Sequence, residues 1–400
     1  MSDESGAGSR DASRDGSRDA AREDGPGPRK TRVAILFGGR SCEHAVSCAT
    51  AAGVMRAIDH DRYDVIAIGI TKAGEWVLAG DDLDRLVLRP GRLPEVTGTE
   101  RVVLPNDPSR RDLTVLTPGR PPRSLGEVDV VFPLLHGPFG EDGTVQGLLE
   151  LADVRYVGCG VLASAVMMDK HYMKVVFAGH GLPVGPFVVV GDARWRRDPE
   201  GALDEAETLG WPVFVKPARA GSSMGISRAG DRQSLRAAIE SAREHDPKVI
   251  IEAAQTGREI ECGVLQGRDG APPRTSRLGE IIVERGHPFY DFEAKYLAED
   301  DVKLSCPADV PEGDEARLRQ MAAAAFTSAG CEGLARVDFF YAPPGATGGE
   351  PTIVVNEINT MPGFTPHSMY PQMWAQTGIS YPALIDELIQ LALHRRVGLR

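Results

Sequence analysis

The sequence predicts an open α/β domain at the front of the chain and a mixed α+β remainder built in two parts. Three observations carry that expectation. Short apolar runs alternate with helix-length segments between Val33 and Glu150, the pattern of a sheet with parallel strands and helices on its faces. Further on, Val213-Phe-Val-Lys216 reads as a strand that ends in a lysine and runs into a Gly/Ser-rich loop. Near the end, Ala335–Tyr341 and Ile353–Asn359 read as strands around a turn-rich Pro343–Gly349, which predicts an antiparallel hairpin.

The elements follow in order. Residues 1–30 are a polar tail with Ser-Arg-Asp at 9–11, 13–15 and 17–19. It lacks apolar periodicity and is expected to be disordered. Its many acids argue against an organelle-targeting peptide, and without an apolar core segment it does not read as a signal peptide. Residues 31–163 form the N-terminal α/β part. Val33–Phe37 is a strand, Gly38-Gly39-Arg40-Ser41 a turn, and a helix runs on to Ile58. Tyr63–Ile70 and Val128–Leu135 are further strands, and a helix starts at Gly143. The stretch 80–125, rich in Pro, Gly and Arg, reads as irregular surface or an insert. Residues 164–247 form a central part: one helix over Ala165–Ala178 carrying Lys170 and Lys174, a strand Phe187–Val190, a helix near 200–209, then the strand ending at Lys216. Residues 248–400 hold strands at Val249–Glu252, Glu259–Leu265, Glu280–Val283 and the hairpin, with helices near 314–328 and 382–395.

With 400 residues the chain can build two or three cores. A formal net charge of −12 argues against nucleic acid as a main partner. No apolar run reaches the roughly 18 residues of a membrane span. Cys42, Cys48, Cys159, Cys262, Cys306 and Cys331 contain no C-x-x-C pair, so they are expected to be reduced thiols of a cytoplasmic enzyme.

Two constellations carry chemistry. In Lys216-Pro-Ala-Arg-Ala-Gly221-Ser222-Ser223, small residues let backbone N–H groups approach an anion, and the lysine adds a point charge. The G-x-x-x-x-G-K-[ST] phosphate loop is absent, and Gly38-Gly39 lacks the third glycine of a dinucleotide fingerprint. Lys170 offers a second cation, Glu252 begins a segment able to frame an adenine edge, and Glu259 could accept from ribose hydroxyls. In the hairpin, side chains alternate with period two. Arg336 and Asp338 therefore share one face, as do Glu357 and Asn359, while Val337, Phe339 and Ile358 take the other. Three oxygen ligands and one guanidinium would meet on one surface. Magnesium favours such hard oxygen donors beside substrate phosphates, and a carboxylate such as Glu357 can bridge two ions.

These motifs resemble the D-alanine–D-alanine ligases of the ATP-grasp superfamily. The resemblance runs from Val33 to about Leu393. It rests on Phe37-Gly-Gly-Arg-Ser-Cys-Glu43-His44-Ala-Val-Ser47, Leu135-His136-Gly-Pro-Phe-Gly-Glu-Asp-Gly-Thr144, Met168-Asp-Lys170 and Val215-Lys216-Pro with Gly221-Ser222-Ser223. Further on come Phe289-Tyr-Asp-Phe-Glu-Ala-Lys295-Tyr296, Arg336-Val-Asp338 and Asn356-Glu357-Ile-Asn359-Thr-Met-Pro-Gly363-Phe-Thr-Pro-His-Ser368.

The family pattern implies a pre-ATP-grasp α/β domain followed by a two-subdomain ATP-grasp fold. It implies ATP as a substrate, two Mg²⁺ ions (Mn²⁺ as an alternative) and a homodimer. By that pattern Lys170, Lys216, Ser223 and Glu252 serve the nucleotide, and Glu259 holds the ribose. Asp338, Glu357 and Asn359 hold the metal. Arg336 and the Gly363 N–H steady the oxyanion of a tetrahedral intermediate. Glu43 pairs with the first substrate's ammonium, with His136 nearby. Lys295, Ser368 and Met369 serve the second substrate. Tyr296 is expected to bridge Ser222 and Glu43 and to close the loop 285–297. The pair Lys295-Tyr296 favours D-alanine over D-lactate or D-serine as second substrate. Ala253 departs from the pattern, since many relatives carry lysine there. Another ATP-grasp ligase, or a non-catalytic nucleotide-binding regulator, stays open as an alternative at this point.

Overall fold

Val33 to Phe37 carry no polar side chain, so the strand they form needs cover on both faces. The computed structural model, which describes residues 29–80, 82–89, 91–105, 107–221, 224–283, 302–345 and 349–397, supplies it. Strand β1 (Thr31–Gly38) lies between β2 (Tyr63–Ile70) and β7 (Val130–Pro133) and pairs with both in parallel. One face of these strands is buried with Val145, Leu149 and Tyr156. The other packs on Cys48, Ala51 and Val54 of α1 (His44–Ala57). The helix Tyr381–Leu393 joins that second face through Leu384, Ile385 and Leu388, although it lies at the far end of the chain. Tyr63 Oη donates to Asp386 at 2.5 Å and accepts from Gln390 Nε2 at 2.9 Å, which fixes this helix on the N-terminal sheet.

The stretch 80–125, expected to be irregular, carries three short strands, with another just before it. β3 (Trp76–Leu78), β4 (Arg101–Val103), β5 (Asp112–Leu116) and β6 (Arg123–Glu127) extend the sheet in the order β6-β5-β4-β3-β2-β1-β7. All of these added pairings are antiparallel. The connections β4–β5 and β5–β6 are shorter than the dozen or so residues a parallel crossover needs. In β4 and β5 buried and accessible residues alternate. Both strands are only three to five residues long and lie among Pro, Gly and Arg residues, so the surrounding composition hid them.

A second correction concerns the single helix expected over Ala165–Ala178. It is two, α3 (Val161–Met168) and α4 (Lys170–Gly179), separated by Asp169 in an extended conformation. The Asp169 carboxylate accepts from the backbone N–H groups of His171 and Tyr172 at 3.1 and 3.3 Å, an N-cap that competes with helix continuation. Lys248 Nζ pairs with the same carboxylate at 2.8 and 2.9 Å. The break makes Lys170 the first residue of α4.

Two further sheets are seen among the described residues. One has the order β10-β9-β11-β8 and is antiparallel: β8 is Phe187–Gly191, β9 Val213–Pro217, β10 Ser227–Ala229 and β11 Lys248–Ala253. Helices Pro199–Glu207 and Arg232–Arg243 cover it through Leu203, Leu235 and Ile239. The other sheet has the order β14-β13-β12-β15-β16. Its strands are β12 (Arg258–Leu265), β13 (Arg274–Val283), β14 (Val302–Ser305), β15 (Leu334–Ala342) and β16 (Thr352–Asn359). Helix Glu312–Ser328 and α4 bury one face, with Phe326, Met173 and Phe177 against Val337 and Phe339. No described helix is long and apolar enough to cross a membrane.

Asp169→Ala removes both a cap and the partner of Lys248. It should cost about 1–2 kcal/mol from the cap alone, read as a lower urea midpoint. Asp169→Asn, which keeps the cap acceptor, should recover part of that loss.

Candidate functional site

The hairpin pairs in the register the alternation requires. Asp338 stands opposite Glu357 and Arg336 opposite Asn359. Val337, Phe339 and Ile358 are buried on the other face. A bulge follows Asp338, so that Phe339 pairs with Val355. Arg336 clasps Asp338 with two charge-assisted bonds, Nε to Oδ1 and Nη2 to Oδ2, both 2.7 Å. Asn359 Nδ2 donates to Asp338 Oδ2 at 3.0 Å. Glu261, buried on β12 opposite Asp338, lies 3.2 Å from Arg336 Nε.

Among the described residues no group of three or more His, Cys, Asp or Glu converges as a metal cluster. The hairpin offers two carboxylates and one amide instead. That set suits an ion which shares its remaining positions with phosphate oxygens.

The lysines lie on the facing elements. Lys170 donates to the Ala220 carbonyl at 2.8 Å, and its backbone N–H bonds the Ala218 carbonyl at 2.9 Å, so α4 starts against the loop after β9. Burial pulls the Lys170 pKa down, with the Glu357 charge opposing. Lys216 and Lys174 share Glu252, at 2.7 and 3.0 Å. Burial works against the Glu252 charge, but the two ammonium groups outweigh it and hold the carboxyl at about 2. Beside this triad, Gly185, Ala253, Gln255, Phe340, Val354 and Asn356 help line a recess of about 190 Å³, counting space open to solvent. Glu259 is exposed at the start of β12.

Glu43 immediately precedes α1 and is buried. Two glycines crowd its carboxylate. A Cβ on Gly137 or Gly221 would come within 2.7 or 2.9 Å of Glu43 Oε2. Gly137 also needs its φ of +73°. His136 is buried, and its ring lies between Thr50 Oγ1 (3.4 Å) and the Met361 carbonyl (3.2 Å). Burial lowers its pKa, with the charge of Glu43 opposing. Glu141 accepts from Gly137 N–H at 2.6 Å and from Met361 N–H at 3.2 Å. Burial, and then the charge of Glu43, push its carboxyl up to about 8.

Gly363 follows in the loop after β16, where a Cβ would lie 3.3 Å from Ser368 Oγ. Ser368 Oγ accepts from Thr365 N–H at 3.1 Å and precedes the helix Met369–Gln376. The Met369 side chain is turned into the core, tight against Gly279. Ser222, Ser223, Lys295, Tyr296 and the whole of the loop 285–297 lie outside the described residues.

Three polar residues of the site were given no role from sequence: Lys174, Glu141 and Glu261. The signals existed. Lys174 sits one helical turn after Lys170. Glu261 is two residues along β12 from Glu259, on the same face. Glu141 lies inside the motif around His136.

A family model described as the D-ala D-ala ligase N-terminus matches residues 32–159, and one described as the D-ala D-ala ligase C-terminus matches residues 176–390. The D-alanine–D-alanine ligase of Arthrobacter sp. (strain FB24) is 61% identical over 377 residues, 94% of this chain and 97% of that one. Its counterpart in Kineococcus radiotolerans is 60% identical over 375 residues, 93% and 99% of the two chains. Among solved structures, the VanG D-Ala:D-Ser ligase from Enterococcus faecalis is similar with a TM-score of 0.77 at 37% identity, covering 91% of this chain and all of that one. The D-alanine–D-alanine ligase from Coxiella burnetii gives 0.73 at 32% identity, covering 91% and 94%.

Glu252→Gln would leave Lys174 and Lys216 buried without their shared charge. It should destabilise the fold by roughly 3–5 kcal/mol at neutral pH, measured by urea unfolding. The folded carboxyl lies below its ordinary range, so its stabilisation is present above the unfolded value and lost as pH falls toward about 2. The gap between parent and variant should therefore narrow on acidification.

Proposed function

The chain belongs to the D-alanine–D-alanine ligase family, and from that premise we propose how its residues join two D-alanine molecules at the expense of ATP. The carboxylate of the first D-alanine attacks the γ-phosphorus of ATP. An acyl phosphate forms and ADP leaves. The amine of the second D-alanine then attacks the acyl carbon. The tetrahedral intermediate expels phosphate, the amine loses its proton, and D-alanyl-D-alanine remains, a peptidoglycan precursor.

The observation that carries this reading is the β15–β16 register, with Arg336, Asp338, Glu357 and Asn359 on one surface. Asp338, Glu357 and Asn359 would hold two Mg²⁺ ions, or Mn²⁺. When bound, these ions neutralise charge on the transferring phosphoryl group. Arg336 stays on that surface and, with the Gly363 N–H, offers donors to the oxyanion. Glu261 gives Arg336 a second carboxylate partner when Asp338 turns toward metal. Lys170 and Lys216 attract the ATP phosphates, with Ser223 beside them. Glu252 and the recess next to it take the adenine, and Glu259 takes the ribose.

Glu43 receives the first D-alanine's ammonium, with His136 adjacent. The two glycines against the Glu43 carboxylate support this, because they keep side chains of the neighbouring loops away from it. Lys295, Ser368 and the backbone at Met369 hold the second substrate. Tyr296, with Ser222 and Glu43, shuts the site against water, which otherwise hydrolyses the acyl phosphate.

The working parts are residues 31–163, 164–247 and 248–400, although the third opens with β11 (Lys248–Ala253), which completes the central sheet, and the helix Tyr381–Leu393 reaches back onto the first. The enzyme acts in the cytoplasm as a homodimer. Exposed Leu151 and Leu162 on the adjoining helices α2 (Thr144–Leu151) and α3 support a self-association surface.

Incubation with ATP, Mg²⁺ and a mixture of D-alanine, D-serine and D-lactate should give D-alanyl-D-alanine as the main product by mass. A predominant D-alanyl-D-serine or depsipeptide would overturn the second-substrate assignment, and no D-alanine-dependent phosphate release would overturn the activity. Glu357→Gln should cut turnover more than the 10–100-fold typical of an outer-shell change, on the order of a hundredfold or beyond, with an unchanged urea midpoint. Tyr296→Phe should raise the share of product made with D-lactate in direct competition.

A further inference from the structure

Met361 lies between the metal-side strand and Gly363, and its backbone is held from both ends. Its N–H donates to Glu141 Oε1 at 3.2 Å, and its carbonyl lies 3.2 Å from His136 Nδ1. The other Glu141 oxygen, Oε2, accepts from Gly137 N–H at 2.6 Å. One carboxylate thus joins two loops more than 200 residues apart in sequence. One loop lines the Glu43 pocket. The other leads within two residues to Gly363.

The environment works against a charge at Glu141, since burial and Glu43 both raise its pKa. The carboxyl group nevertheless fits this place for a geometric reason, since both of its oxygens keep lone pairs even when it is protonated. It has an acceptor oxygen for each of two backbone donors, whereas an amide of the same size has one acceptor and one donor. An apolar side chain would leave both N–H groups without this partner. Glu141 itself is held by its own N–H on the Gly137 carbonyl at 2.9 Å. The neighbouring turn is fixed by Gln146 Nε2 on the Gly140 carbonyl at 2.8 Å. The bracket is therefore a stiff part of the N-terminal sheet's loop region, gripping a loop of the C-terminal sheet.

We propose that Glu141 is a positioning residue for the amine-attack step: by clamping Met361 it sets where the Gly363 N–H points. The inference rests on the proposed role of Gly363. Phosphoryl transfer depends on the lysines and the β15–β16 carboxylates, whereas the hydrogen bonds of Glu141 go to Gly137 and Met361, with the Glu357 charge a lesser influence on it. The second step needs a donor held where the oxyanion develops, and small displacements there are costly. When the donor is misplaced, the acyl phosphate persists long enough for water to attack it. D-alanine and phosphate are then released and no dipeptide forms.

The test measures phosphate released per dipeptide formed, with ATP, Mg²⁺ and D-alanine. The parent should give a ratio near one. Glu141→Ala should raise it to roughly five or more, because displacing an oxyanion donor costs a fraction of the 10²–10³ lost on removing one. The KM for ATP should stay within about twofold, since ground-state nucleotide binding is untouched. Glu141→Gln, which keeps one acceptor, should give an intermediate ratio, and it decides the matter if the alanine variant does not fold. A ratio that stays at the parent value in the folded variants, however slow they are, overturns the proposal. Absence of dipeptide from the parent would refute the activity on which the proposal rests.

Discussion

The pairing of β15 with β16 is the constraint on which the site depends. Strand side chains alternate, so a slip of one residue would send Arg336 and Asp338 into the core and bring Val337 to the surface. The apolar face, Val337, Phe339 and Ile358, makes such a slip prohibitive because those residues are buried against helix Glu312–Ser328 and α4. Hydrophobic burial on one side thus determines where the charged groups stand on the other. The charges then need one another. Asp338 and Glu261 are poorly solvated, and Arg336 between them supplies the counter-charge.

The same logic governs the nucleotide side. Glu252 neutralises Lys174 and Lys216 together, so two lysines stay buried close to a recess of mixed polar and apolar lining. Under the proposed reading, an incoming polyphosphate meets cations already in place, among them Lys170, whose charge burial disfavours until an anion arrives. Pre-organised charge of this kind spends its desolvation cost in folding and not at the moment of reaction.

Rigid links tie the substrate pocket to the reacting centre. The last helix, Tyr381–Leu393, is buried on the N-terminal sheet. Arg395 beyond it stacks on Tyr156 at 3.9 Å, donates to the Gly158 carbonyl at 2.6 Å and pairs with Glu332 at 2.8 Å. Nearer the site, His136 and Glu141 hold Met361. Glycines make the approach possible, since any side chain at Gly137 or Gly221 would fill the space at Glu43.

Sequence by itself determined the parallel centre of the first sheet, the hairpin and its sidedness, and the lysine-ended strand. Each of these is a local pattern: a run of apolar residues, an alternation, or a lysine before small residues. The ordered motifs also identified the family. Sequence missed the short antiparallel strands β4 to β6, because runs of three to five residues among Pro, Gly and Arg give too little alternation to read. It ran α3 and α4 together, because Asp169 caps a helix only when the chain turns there and Lys248 arrives from β11. Tertiary structure alone decided that Glu252 would answer two lysines and that Glu261 would back Arg336. It also decided that Glu141 would grip Met361, and that the final helix would complete the first core. These are contacts between residues distant in the chain, and no periodicity within a segment encodes the partner that folding brings to it.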